Sequence, residues 1–93
     1  MKRLDLIFSD RELDTMLNAL DEGGAPGYTI TKHVTGKGPQ GAVSEDMEFT
    51  DLGANAHLIV FCDETTLASL KEKIKPILNY YGGIGYVSDA IPL

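Results

Sequence analysis

The feature that most limits how this chain can fold is a change of hydrophobic period that occurs twice. Leu4, Leu6 and Phe8 recur at every second residue with Asp5 and Ile7 between them, the spacing of a strand buried mostly on one face. Directly afterwards Leu13, Met16, Leu17 and Leu20 recur at three and four residues, one apolar stripe of a helix. Ser9 or Asp10 is a suitable N-cap, and Gly23 and Gly24 are a stop. The same switch returns later. The apolar run 57–62 reads as a strand, and Leu67, Leu70, Ile74, Ile77 and Leu78 then mark a helix capped by Asp63, Thr65 or Thr66. Pro76 is expected to kink or shorten that helix.

Two further strands complete the pattern. From Gly27 onward Tyr28, Ile30, Lys32 and Val34 alternate with Thr29, Thr31, His33 and Thr35, and threonine favours the extended chain. Tyr80 and Tyr81, read as finishing the core, precede a turn made by Gly82, Gly83 and Gly85. A short strand around 84–88 and an apolar tail at 90–93 follow. The stretch 36–55 has glycines, scattered acids and no sustained period, so it reads as a loop of roughly twenty residues, a length that commonly serves function.

The order strand, helix, strand, strand, helix, strand predicts an α+β fold: a ferredoxin-like βαββαβ sandwich whose antiparallel sheet carries both helices on one face. With 93 residues the chain is a single domain, 1–93, with a thin core that gains from oligomerisation. The sheet face away from the helices has apolar residues such as Ile7 and Ile59, so it is expected to be buried between subunits.

Composition removes several function classes. A formal charge of -6 opposes binding to nucleic acid, whose phosphates would repel it. The first residues lack a secretory apolar core and no run is long enough to span a bilayer, so the expected location is the cytoplasm without membrane insertion. Cys62 is the only cysteine and sits in an apolar run, which predicts an inert buried thiol.

Against this background, specific residues resemble those of the PII signalling proteins. The opening strand runs into a helix through Leu13 and Asp14, as in that family, and Gly27, Tyr28, Thr29, Ile30 and Thr31 resemble its second strand. Gly36, Lys37 and Gly38 follow as its Gly-x-Gly. The resemblance implies a homotrimer with an effector in each intersubunit cleft. It further implies that an adenine nucleotide is held at the loop base by Gly36, Lys37, Gly38 and Gln40, by Thr29 on the second strand, by Gly82 and Gly83 in the turn, and by Ile7 on the first strand. Glycines there would let backbone N–H groups approach an anion.

The chain also departs from the family. Pro39 stands where the family has an arginine, Gly85 and Tyr86 stand where it has a basic residue, and the sequence through Leu93 holds no counterpart of its arginine-bearing C-terminal segment. Lys32 and Lys37 alone supply positive charge near the implied site, too little for a triphosphate. The expected effector is therefore smaller: AMP, ADP or a cyclic nucleotide, with bicarbonate as a further candidate, as in the PII-like group linked to inorganic carbon. No tyrosine lies in 42–55, which excludes uridylylation there. Met47 and Phe49, set among acids, are candidate anchors for docking a target protein, either a membrane transporter or a metabolic enzyme.

The alternative is a CutA-like or metal-binding trimer. His33 and His57 fall near one another if the second and third strands form a hairpin, and Glu45, Asp46 or Glu48 could add a carboxylate. No nucleophile motif or acid–base set is recognisable, so the chain is not expected to be an enzyme.

Overall fold

A computed structural model describes residues 1–38, 41–42 and 54–93. Gln40, Met47 and Phe49, and with them Pro39 and the acids Glu45, Asp46 and Glu48, lie outside the described residues. The elements in order are β1 (Lys2–Ser9), a 3-10 turn (Asp10–Glu12), α1 (Leu13–Glu22), β2 (Thr29–Val34), β3 (Lys37–Gly38), β4 (Gly41–Ala42), β5 (Asn55–Cys62), α2 (Glu64–Tyr81) and β6 (Ile84–Asp89). The main sheet has the order β2-β5-β1-β6 with antiparallel pairing throughout. This is the ferredoxin-like arrangement that the double strand-helix-strand pattern predicts.

The core follows from the alternation. Leu4, Leu6 and Phe8 of β1 and Ala56, Leu58, Val60 and Cys62 of β5 are buried on one sheet face, where they meet Met16, Ala19 and Leu20 of α1 and Leu67, Leu70 and Ile74 of α2. Both helices therefore cover the same face. Gly23 ends α1 where it presses on α2: a Cβ there would lie 2.6 Å from Leu70 Cδ2, so a larger residue would force the helices apart. Of the three candidate caps Asp63, Thr65 and Thr66, it is Asp63 that caps α2, Oδ1 accepting from the Thr66 backbone N–H at 2.7 Å.

Four expectations change. Strand β5 begins at Asn55, two residues earlier than its apolar run, because Ser9 and Asn55 still pair at the end of the β1–β5 ladder. The stretch 36–55 is not wholly loop, since Lys37 and Gly38 pair with Ala42 and Gly41 in a two-residue ribbon. Pro76 does not shorten α2, which continues to Tyr81. Pro76 and Glu72, whose carbonyl loses the usual donor, are both exposed, so water can replace that hydrogen bond. Lastly, Tyr80 and Tyr81 do not finish the core. They are 81% and 43% exposed and contact each other edge to face, with ring centroids 4.7 Å apart. Burial fades along α2 from Leu70 through the half-buried Ile77 and Leu78 to these rings, so the helix outruns the sheet it packs on.

Candidate functional site

The sheet face away from the helices is assembled from the residues that alternate with the core. Cross-strand registers set them in rows: Thr31, His57, Ile7 and Ile84, then Thr29, Ile59, Asp5 and Tyr86, then Phe61, Arg3 and Ser88. Ile7, Ile59, Phe61, Ile84 and Tyr86 give this face an apolar character that the single chain leaves uncovered.

Its centre is polar. Arg3 Nε and Nη2 donate to the two oxygens of Asp5 at 2.9 and 3.0 Å, while His57 Nε2 lies 2.8 Å from Asp5 Oδ1. The Arg3 guanidinium also stands 5.9 Å from the Phe61 ring centroid, within cation–π reach. The hydrogen bond from Arg3 holds the Asp5 carboxyl below the ordinary carboxylate range, against partial burial, with His57 adding to the effect. Because the folded-state value is depressed, the stability Asp5 contributes is present above the ordinary carboxylate pKa and is lost as pH falls through the depressed one. Asp5→Asn should therefore lower the Tm by a few degrees at neutral pH, and thermal scans on acidification should show the gap closing below the ordinary carboxylate range. This network escaped the sequence reading, although Arg3 and Asp5 share a strand parity and could have been paired from that alone.

The implied effector residues fall into two groups. Ile7 makes the last β1–β6 pair, with Ile84, beside the glycine turn: at Gly83, where φ is 120°, a Cβ would lie 2.9 Å from the Ile7 carbonyl oxygen. Gly82, with φ 91°, precedes it. Gly36 and Lys37 leave the same end of the sheet after β2, and Gly38 continues into the ribbon. Thr29 stands apart. It lies on edge strand β2, one row further down and three strand spacings from β6, about 14 Å at ordinary sheet spacing. There it lines a shallow pocket of about 290 Å³ with Pro26, Gly27, Tyr28, Ile59 and Phe61.

The two histidines do not pair. The register sets Thr31, not His33, opposite His57, and a bulge then places Lys32 and His33 against Ala56 alone. His33 takes φ 60° in that bulge, a conformation histidine adopts more readily than most residues, and it is exposed. Among the described residues no group of three or more His, Cys, Asp or Glu side chains is placed to hold a metal ion. Burial pushes the Cys62 thiol up, consistent with an inert role.

Comparison with known proteins decides what these residues belong to. The family model described as nitrogen regulatory protein P-II matches residues 1–93. The chain belongs to the P-II family. Among solved P-II relatives, CPII, a nitrogen regulatory PII-like protein from Thiomonas intermedia K12 bound to ADP, AMP and bicarbonate, is 27% identical with a TM-score of 0.79, the match covering 96% of this chain and 84% of that one. Its apo form is 25% identical with a TM-score of 0.75, over 96% of this chain and 87% of that one. A PII-like signalling protein from Thermus thermophilus, at 21% identity and TM-score 0.70, over 94% of this chain and 83% of that one, shares the fold. No curated protein matches the chain. As a P-II family member the chain is of a regulatory kind, and no helix among the described residues is long and apolar enough to cross a membrane.

Proposed function

We propose that this chain is an effector-controlled regulator, not an enzyme, that binds AMP or ADP between copies of itself, with bicarbonate as a second effector. The observation that carries the reading is the whole-chain match to the P-II family, joined to relatives held with ADP, AMP and bicarbonate. The geometry supports a site shared between copies. Thr29 with its pocket and the Ile7–Gly83 corner are separate in one chain, and the uncovered sheet face that joins them is the surface a neighbour would cover. A homotrimer brings the Thr29 pocket of one copy to the Ile7, Gly36, Lys37 and Gly83 end of the next. Gly38 and Gln40 complete the loop base in this reading, and Met47 and Phe49 carry the signal to a target protein in the cytoplasm, a transporter or a metabolic enzyme.

Electrostatics favours the smaller nucleotides. Gly82 and Gly83 follow the C-terminus of α2, the negative end of its dipole, and the last turn has no basic residue. Each added phosphate therefore increases repulsion with little new positive charge to offset it. Isothermal titration against AMP, ADP, ATP and cyclic AMP, each with and without bicarbonate, tests this. AMP or ADP should bind at least tenfold more tightly than ATP, and Gly38→Glu and Thr29→Arg should each abolish the heat. Thr29 is exposed, so its substitution leaves the core intact. Absence of binding by all four nucleotides would sink the proposal.

A further inference from the structure

We infer that the chain carries a monovalent-cation site where β1 ends and β5 begins, built around Asp10 and Asn55. Asn55 is only 8% exposed, and its Nδ2 donates to the Val34 carbonyl at 3.1 Å. That bond fixes the amide orientation and leaves Oδ1 buried with no hydrogen-bond donor. Asp10 is in the same condition: its Oδ1 is shielded from solvent and unpartnered. The two residues are held close by the ladder end, because Ser9 pairs with Asn55 and the Asp10 backbone N–H donates to the Ala54 carbonyl at 3.0 Å.

Two desolvated acceptors on residues that the ladder end holds together, one of them on a carboxylate, leave a deficit of positive charge or donors. The nearest guanidinium does not fill it. Arg11 is exposed and directs its Nε and its backbone N–H to Ser9 Oγ, both at 3.3 Å. Ser9 Oγ thereby uses both of its lone pairs, while the Val34 and Ala54 carbonyls stand next to the two residues, accepting from Asn55 Nδ2 and from the Asp10 backbone N–H. The unpartnered groups are oxygens only, a carboxylate and an amide, with two backbone carbonyls in the neighbourhood. Such a set suits a hard cation, and a single carboxylate balances one charge, which favours sodium or potassium over calcium or magnesium. The site stands independently of the effector reading.

The test is thermal unfolding of the full chain in sodium, potassium, magnesium, calcium and choline chlorides at matched ionic strength. Sodium or potassium should raise the Tm by roughly 5 °C over choline, and Asp10→Asn should remove that difference. Asn55→Asp, which adds a second carboxylate and removes the donor to Val34, should turn the preference toward calcium or magnesium, and it decides the matter if Asp10→Asn does not fold. Equal Tm in every salt would overturn the site and leave the two oxygens to buried water. A wild-type rise seen only with divalent ions, or one unchanged in both variants, would overturn it as well.

Discussion

Gly83→Val is expected to lower the free energy of unfolding by about 2–6 kcal/mol, through backbone strain and a contact that has no way to relax. A valine is strained at the φ of 120° that Gly83 adopts, and its Cβ would lie 2.9 Å from the Ile7 carbonyl oxygen and 3.1 Å from both Phe8 Cβ and Leu78 Cδ2. A long side chain could swing aside, but the Ile7 carbonyl belongs to the central ladder of the sheet. The cost is then a large share of the roughly 5–15 kcal/mol that holds an ordinary domain together. Urea unfolding should show a lower midpoint with an unchanged slope. Gly82→Val provides the comparison, because that glycine also has positive φ, 91°, but nothing stands within 4 Å of its Cβ position. Gly82→Val should cost only the strain, about 1–3 kcal/mol, and equal losses in the two variants would refute the close-approach argument.

That pair of glycines also shows where the sequence is readable and where it is not. Two glycines after a helix announce a turn, and from the resemblance a place in the effector site, but nothing in the sequence says which of them the fold presses against Ile7. Strand β1 and the two helices were legible because their apolar residues repeat at two or at three and four, and those residues form the observed core or pack against it, whereas β2 and β6 place no buried residue in it. Capping was legible at Asp63 for the same local reason. The exposure of Tyr80 and Tyr81 was not, because aromatic residues at the end of an apolar stripe look identical whether or not the sheet extends beneath them. His33 and His57 failed as partners because the register sets Thr31 opposite His57, and register carries no compositional mark.

The polar centre of the open face and the Asp10–Asn55 acceptors depend on contacts between residues distant in sequence. Asp5 meets His57 across 52 positions, and Asn55 meets Val34 across 21. Short-range patterns do not encode such pairs. The family resemblance supplied the implied effector residues, while the fold adds the point that Thr29 and the glycine turn occupy different parts of one chain. In the proposed reading a second copy completes the site, and the open face is the surface on which that reading can be tested.

Ile59→Asp should dissociate the proposed homotrimer while sparing the fold of each chain. Ile59 lies on the open face between Thr29 and Asp5, outside the core cluster, so the helices and the buried sheet face do not sense it. In the assembly a new carboxylate would stand directly across the strand from Asp5, whose charge Arg3 already maintains, and like charges in that position repel. Burying that unpaired charge against a neighbour costs several kcal/mol at each copy, and a trimer carries the substitution three times. At a modest 3 kcal/mol or so per copy, assembly weakens by more than a hundredfold per interface. Sedimentation or light scattering should give three chains for the wild type and one for Ile59→Asp, with far-UV circular dichroism unchanged. Effector binding should vanish with assembly, because the Thr29 pocket, which Ile59 itself helps to line, would no longer meet the Ile7–Gly83 corner. A monomeric wild type would refute the trimer itself, whereas a monomeric variant that still binds AMP or ADP would show that one chain holds the effector alone.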